Sequence, residues 1–313
     1  MTTNPHDHLS AERRSAERHF RYDTTGRWYK GNTHIHTTRS DGGMTYAEVT
    51  QLYTGAGFDF LCAADHWVAS DVAVQPGATD LLWLDGIELD GRDASGAFYH
   101  VVCLGKLDRI TREMGFDAAL RAARDQGALL ILAHPQWTGN SFDDAARWPF
   151  DGVEVYNHVC RWLNGKGEGG AYWNAMLRRR PETLAFAVDD AHLRPEHPGW
   201  NGGWIVVNAA EGTPECIQHA IRRGNFYASC GPEFHAIRHD DGYVEVETSP
   251  VQFIRLVGPA YRGERLGSFD GQRLTGARFA LPAEWDYAYL EIEDDRGRRA
   301  WTNTLLVGAH ESG

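Results

Sequence analysis

What this sequence lacks narrows its class before any motif is read. Nowhere in its 313 residues is there a run of about 18 apolar side chains, the length a helix needs to cross a bilayer, so no membrane span is expected. The opening stretch, MTTNPHDHLSAERRSAERHF, is polar and charged with no apolar segment, which reads against a secretory signal and gives the cytoplasm as the expected compartment. Cysteine is scarce. The five residues Cys62, Cys103, Cys160, Cys216 and Cys230 include no C-x-x-C pair, so neither a disulfide framework nor a zinc ribbon is expected. Cys62 and Cys103 lie inside apolar runs and read as small buried hydrophobes. Basic charge is in deficit, with 31 Lys and Arg against 43 Asp and Glu. A formal net charge of −12 argues against a surface that coats nucleic acid and leaves a small molecule as the expected partner. An anionic substrate would need a local source of positive charge.

What is present is room for a core and a regular alternation of patterns. From about residue 28 to about 210, short β-branched or aromatic runs alternate with helical periodicity, which predicts β-α repetition around a mainly parallel sheet. The runs at 31–36, 59–65, 82–89, 99–105, 129–134, 152–157, 183–190 and 204–209 suit a barrel better than a small open sheet. Thr45-Tyr-Ala-Glu48 reads as a capping box opening a helix, with Met44 and Val49 placed for a hydrophobic staple. Helical periods follow at 116–127 and 170–180, and Thr213-Pro214 starts a helix that closes at Gly224. From about 231 the texture changes to period-two alternation broken by turn signals such as Asp240-Asp241-Gly242, which predicts a small antiparallel β-sandwich. The expected division is a polar arm over 1–27 with a helix over 10–20, an α/β barrel over 28–230, and the β-sandwich over 231–313.

Most of the polar residues that stand out fall at or just beyond the C-terminal ends of the apolar runs, where α/β barrels assemble their sites. His34 and His36 are spaced i, i+2 in an extended segment, so both rings project from one face and can hold one ion. Asp41 follows in the next loop, and Asp65-His66 closes the second run. Glu88 ends Gly-Ile-Glu-Leu, His100 flanks the start of its run, His134 ends Leu-Leu-Ile-Leu-Ala, and Asp190 and His192 repeat the i, i+2 spacing. A lone strand histidine is more often a packed core residue than a ligand. The joint pattern is not one that packing selects, because burying so many ionisable groups without a metal costs several kcal/mol each. It predicts two or three divalent ions, with Zn, Mn and Fe all suited to mixed imidazole and carboxylate ligands.

The segments G-N-T-H-I-H-T-T-R-S-D-G (31–42), F-D-F-L-C-A-A-D-H (58–66), G-I-E-L (86–89), A-H-P-Q-W (133–137), G-V-E-V-Y-N (152–157) and A-V-D-D-A-H (187–192) resemble the polymerase-and-histidinol-phosphatase (PHP) superfamily over about residues 30–210. The later G-N-F-Y-A-S-C-G-P (224–232) and W-T-N-T (301–304) look like the branch that includes carbaryl hydrolase and adds a C-terminal β domain. The resemblance implies a distorted (β/α)7 barrel with up to three metals. His34 and His36 would hold the first ion with Asp190. Glu88 would bridge it to a second ion on His134 and His100, and Asp41, His66 and His192 would hold a third or complete the second.

Such ions can trap a bridging hydroxide at neutral pH and polarise a substrate oxygen, which makes a metal-dependent hydrolase the expected activity. Three divalent ions against Asp41, Glu88 and Asp190 leave about +3, which favours a small phosphate ester as substrate. Asp65 beside His66 is a candidate proton-handling carboxylate, though orienting a ring or capping a turn is an equal reading. Arg39 beside the His-x-His pair is the candidate phosphate clamp, with Arg161, Lys166 and Arg194 as others. Trp137, near Trp162, Trp173 and Trp200 in sequence, would line an aromatic wall, and Asn157 would hydrogen-bond substrate or a metal-held water. His197 and the other remaining histidines show no ligand spacing and receive no role. Two alternatives stand beside the phosphoesterase: a hydrolase of carbamates or carboxylic esters, suggested by the Trp-rich loops, and a catalytically silent binding module.

Overall fold

The computed structural model describes residues 18–75 and 81–308. The expected helix over 10–20 falls largely outside these residues, and where the chain is described it is not helical: Arg18–Phe20 (β1) is a strand paired antiparallel with Leu306–Gly308 (β19). Among the described residues no helix is long and apolar enough to cross a membrane.

The chain then runs Arg27–Ile35 (β2), Tyr46–Gly55 (α1), Phe60–Ala63 (β3), Leu82–Leu84 (β4), Gly86–Arg92 (β5), Phe98–Leu104 (β6), Phe116–Asp125 (α2) and Leu129–Leu132 (β7). Pro135–Thr138 (α3), Phe142–Arg147 (α4), Gly152–Asn157 (β8), His158–Asn164 (α5), Gly170–Leu177 (α6), Leu184–Val188 (β9), Trp204–Ala209 (β10), Pro214–Arg223 (α7) and Phe226–Ser229 (β11) follow. The rest is strand: Phe234–Asp240 (β12), Tyr243–Val251 (β13), Phe253–Val257 (β14), Gly263–Gly267 (β15), Leu274–Ala280 (β16), Tyr289–Glu293 (β17) and Arg299–Thr302 (β18).

Local chemistry explains the boundaries. Thr45 and Glu48 form the reciprocal capping box that opens α1. Thr213 caps α7 ahead of Pro214, and Gly224 ends it in the left-handed conformation that a residue without Cβ adopts most easily. Every residue of β3, β7, β8 and β9 is buried, which is why these strands read as continuous apolar runs rather than as an alternation.

The distorted (β/α)7 barrel that the resemblance implies is not confirmed, because the described strands do not close into a single hydrogen-bonded sheet. The strands make a nine-stranded sheet in the order β15-β14-β17-β18-β11-β10-β2-β3-β4 and a separate five-stranded sheet in the order β5-β6-β7-β8-β9. At the end of the fold that carries the ligand residues, the two sheets are stitched by isolated bridges, Ile35 to Ala191 and His66 to Glu88. The sheets are also less parallel than expected. β5, β6 and β7 pair antiparallel; for β5 and β6 the cause is the tight loop that joins them, in which Asp93 accepts hydrogen bonds from the Ser95 and Ala97 amides. A connection that short cannot return a strand in the parallel sense.

Past residue 230 the chain is β-rich. β12, β13 and β16 form a three-stranded sheet whose Ile237, Val244 and Val246 share a core with Ile254, Leu256, Leu290 and Ile292 of β14 and β17. The nine-stranded sheet itself crosses the expected division, since β11 pairs directly with β18. The W-T-N-T segment has a structural task at this joint. Asn303 accepts from the Ala185 amide and donates to the Gly224 and Phe226 carbonyls, tying the last strands to β9 and to the end of α7.

Candidate metal centre

The strand ends of both sheets bring nine side chains to one place. His34 and His36 leave β2 on the same face and are fully buried. Glu88 comes from β5, His134 follows β7, Asp190 and His192 follow β9, His66 follows β3, and Asp41 lies on the loop after β2. His100, which stands at the start of its run, joins the set because β6 runs antiparallel to β5: it lies opposite Asp90, so the start of β6 and the end of β5 share one edge. Its Nδ1 is 2.8 Å from Glu88 Oε1.

The geometry of the inner four groups tests whether a cation fits. His34 Nε2 is 3.2 Å from Glu88 Oε2 and 3.3 Å from Asp190 Oδ1, while His36 Nε2 is 3.3 Å and 3.2 Å from the same two oxygens. Tetrahedral ligands at metal–N and metal–O distances near 2.0–2.2 Å stand about 3.3–3.6 Å apart, so the four edges lie at the short end of one ion's ligand shell. His34 Nδ1 lies 2.7 Å from Glu154 Oε1, and since an ionised carboxylate only accepts, the ring proton sits on Nδ1. In the neutral ring His34 Nε2 is therefore a bare lone pair. It has no hydrogen-bond partner and faces two oxygens that also carry lone pairs, an arrangement that a cation between them relieves.

Around this core lie further ligand-competent groups: His36, Asp41, His66 and His192; His66, Glu88 and His100; His34, Glu88 and His134; and His134, Cys160 and Asp190. His192 Nε2 is 3.2 Å from Asp41 Oδ2, and His66 Nε2 is 3.3 Å from Glu88 Oε2. Two ligand residues hold positive backbone dihedrals, with φ of 27° at His134 and 58° at Asp190. Such non-glycine conformations cost on the order of 1–3 kcal/mol and persist where the surroundings over-determine them. Asp189, one residue before, is turned away to accept from the amides of Asn201, Gly202 and Gly203 and from Tyr53.

Burial penalises charge throughout the cluster, and the neighbours overrule it. The rings of His34, His66 and His100 hold the Glu88 carboxyl well below its ordinary range, and His34 and His36 do the same for Asp190. His34 rises well above the ordinary imidazole value through Asp190, Glu88 and Glu154, and His36 is pushed up to about 9 by Asp190 and Glu88. These carboxylates demand positive charge, which protons or divalent ions can supply in competition.

The other expected site residues divide. Trp137 does face the cluster, its ring centroid 5.2 Å from that of His134 and 5.8 Å from that of His100. Arg39 does not: its side chain is exposed and lies outside the cavity at the cluster, because the loop after β2 turns it outward. Arg161 and Lys166 are exposed as well, and the cationic side chain that lines the cavity is Arg194. Asp65 is committed elsewhere, accepting from the Thr37 amide, Thr37 Oγ1 and Ser40 Oγ, so it pins the loop that carries Asp41. Asn157 is committed too. Its amide donates to Glu154 and Asp190 and its Oδ1 caps α5, so both of its polar atoms are engaged within the protein. Trp173 is core, and Trp200 packs on Tyr53.

Two carboxylates escaped the sequence reading. Glu154 contacts His34 and also accepts from the His134 amide at 2.8 Å; an acid between Val153 and Val155 in a buried run was the available signal. Asp90 lies 3.2 Å from His66 Nδ1 and stands i, i+2 from Glu88, the same spacing that singled out the histidines. The cavity at the cluster is small, about 180 Å³, and Val159, Leu163 and His197 complete its wall beside Arg194. Larger clefts of about 1030 and 950 Å³ open elsewhere, but none of the ligand groups lies in them.

No family model matches this sequence, and no curated protein matches it. Among solved structures, the chain is similar to a two-domain protein from Bacteroides vulgatus containing a predicted PHP-like metal-dependent phosphoesterase, with 16% identity and a TM-score of 0.54 over 90% of this chain and 96% of that one. It also aligns, with a TM-score of 0.38 and 15% identity, to an amidohydrolase from Chromobacterium violaceum that contains bound sulfate and no metal, over 62% of this chain and 96% of that one. The likeness to the first spans the β/α part and the β-rich part together and agrees with the motif resemblance. The chain shares the fold of that two-domain protein.

Proposed function

We propose that the chain is a metal-dependent hydrolase that holds two or three divalent ions on His34, His36, Asp41, His66, Glu88, His100, His134, Asp190 and His192. The observation that carries this reading is the fully buried His34 Nε2, left without a hydrogen-bond partner against the oxygens of Glu88 and Asp190. Ions bound there would supply Lewis acidity, polarising a substrate oxygen and lowering the pKa of water in contact with them. The protein's part is to fix the donors: Glu154 sets the His34 tautomer, Asn157 restrains Glu154 and Asp190, and Asp65 restrains the loop bearing Asp41. The β-rich part after residue 230 contributes no group to the cluster among the described residues, which supports a structural role for it.

For the substrate we favour a small phosphate ester. With Glu154 counted, three divalent ions face four carboxylates and the net falls to about +2, while the charge of Asp90 is offset by Arg112. Recognition of an anion then leans on Arg194, whose guanidinium borders the cavity. The similarity to a structure described as a predicted phosphoesterase points the same way. An ester or carbamate substrate is favoured by the apolar wall of Trp137, Val159 and Leu163, and is the second reading. A panel of phosphate monoesters and diesters set against aryl carbamates and esters, with Mn²⁺ or Zn²⁺ added, tests both. Turnover of the phosphate esters alone supports the first reading, turnover of the neutral substrates alone replaces it with the second, and no metal-stimulated turnover counts against both.

A further inference from the structure

The cleft of about 950 Å³ lies at the opposite end of the strands from the metal cluster. Leu129 and Leu184, the first residues of β7 and β9, line it, while the far ends of those strands lead to His134 and Asp190. At about 3.3 Å per residue the strands put on the order of 15 Å between the two places. In a chain with a net charge of −12 this cleft is basic. Arg21, Arg124, Arg180, Arg222 and Arg223 line it against two carboxylates, Asp151 and Glu182, which leaves about +3.

The arginines arrive from the end of α2, from beyond α6, from the last turn of α7 and from the residue after β1, and main-chain carbonyls hold them in place. Arg124 donates to the Pro149 carbonyl and Arg180 to the next one, that of Phe150, at 2.5 Å. Two guanidiniums therefore sit on neighbouring peptide groups, whose Cα atoms are about 3.8 Å apart. Arg222 donates to the Gly127 carbonyl at 2.6 Å and Arg21 to that of Arg223 at 3.2 Å. Gly224 leaves room for the Arg21 guanidinium, which a Cβ at that position would strike.

Capping carbonyls would by itself explain an arginine at the end of a helix, but it engages only one or two of the five N–H groups that each guanidinium carries. Opposite charge is short. Among the described residues Arg124 alone of the five has an acid at ion-pair distance, Asp151 at 3.3 Å. Arg21 is 5% exposed, and its Nε has no hydrogen-bond partner. Burial presses Arg21 down to about 10, and burial lowers Arg180 as well, with Arg124 alongside adding to the fall against the pull of Glu182 and Asp151. An anion in the cleft would relieve all of these together.

We propose that this cleft is a second binding site, separate from the metal cluster, for a small ligand that carries at least two phosphate groups. Planar guanidiniums take phosphate oxygens two at a time, and the adjacent Arg124 and Arg180 suit adjoining phosphates, with Arg222 facing them from α7. The surplus of about +3 matches a diphosphate better than a single phosphate. The proposal does not rest on the metal-centre reading, because none of the cluster's ligand groups lines the cleft.

Pyrophosphate and inorganic phosphate are the probes. Calorimetric titration compares wild-type protein, Glu88→Gln and the double variant Arg180→Gln with Arg222→Gln, and melting curves show that each is folded. Pyrophosphate should bind wild type and Glu88→Gln alike, more tightly than inorganic phosphate and more weakly as salt rises, and each arginine removed should weaken it roughly tenfold or more. Phenylglyoxal labelling of wild-type protein, mapped by peptide mass, needs no variant: pyrophosphate should shield Arg180 and Arg222 and leave the exposed Arg39 and Arg161 reactive. Folded wild-type protein that binds no pyrophosphate, or that binds it without shielding Arg180 and Arg222, would overturn the proposal. Binding that survives in the double variant and disappears in Glu88→Gln would place the anion at the metal cluster and overturn it equally.

Discussion

Replacing Glu154 with Gln changes almost no volume and removes one charge, and its cost can be worked from three contacts. The carboxylate accepts from His34 Nδ1 at 2.7 Å, from the His134 amide at 2.8 Å and from Asn157 Nδ2 at 2.9 Å. A glutamine has only one accepting oxygen. If that oxygen faces His34, the amide NH2 opposes the His134 and Asn157 donors; if it faces those two, the NH2 opposes His34 Nδ1 and forces its proton to Nε2. The second arrangement removes the lone pair that points at Glu88 and Asp190. The first arrangement leaves two buried donors without a partner, at about 1–3 kcal/mol each in the metal-free protein, whereas the second keeps the donors paired and costs metal affinity instead. Loss of such an orienting contact lowers metal affinity by about 10–100-fold, or roughly 1.4–2.7 kcal/mol. Competition against a chromophoric chelator measures the affinity, and melting of the metal-free protein shows whether the variant is folded. Glu154→Asp, which keeps the charge but shortens the reach, should fall between. A folded Glu154→Gln that binds metal as tightly as wild type would refute the tautomer argument.

Glu88→Gln should remove at least one equivalent of metal and the activity with it, since both Glu88 oxygens face histidine nitrogens; elemental analysis with kcat/KM checks this. On a phosphate ester, Arg194→Ala should spare metal content and cost about 1.5–3 kcal/mol, roughly 10- to 150-fold in kcat/KM, whereas Arg39→Ala, outside the cavity, should change little. If Arg39→Ala proves the damaging variant, the loop after β2 is placed wrongly relative to substrate. In the metal-free protein the raised His34 and His36 values mean that their stabilising charge is complete below about 6.5, the ordinary imidazole value, and is lost as pH rises, through about 9 for His36. The metal-free Tm should therefore fall between about pH 7 and pH 10, and the metal-loaded Tm should not, because ions stand where the protons were. Parallel melts of the two forms decide it, and identical pH profiles would count against ions replacing protons.

The site was more legible in the sequence than the architecture. The spacing of His34 and His36 reports which face the end of β2 presents, so that pair could be singled out from period two, whereas Asp190 and His192 lie beyond β9 with Asp190 at a positive φ and their matching spacing carries no strand argument. His100 looked misplaced only because strand direction is not written in a run's composition; the short Asp93–Ala97 loop sets it. Barrel closure was not legible for a related reason. Closure depends on register between strands distant in sequence, and here the two sheets share a core but no continuous ladder, being bridged at Ile35 and His66. Arg39 misled because adjacency to a ligand in sequence says nothing of side-chain direction once the chain has entered a loop. Glu154 and Asp90 were missed although the signals were there: an acid in an apolar strand must be paired, and its partner was already named.

The central claim, that the buried cluster is a multinuclear metal centre, is tested most directly by counting ions. Protein purified without chelator, and protein stripped and then incubated with Zn²⁺ or Mn²⁺, should each be assayed by elemental analysis alongside Glu88→Gln. The account predicts between two and three equivalents in wild type, more than one donor set of three or four can hold, and fewer in the variant. Less than one equivalent as purified, with none taken up on incubation, would contradict it.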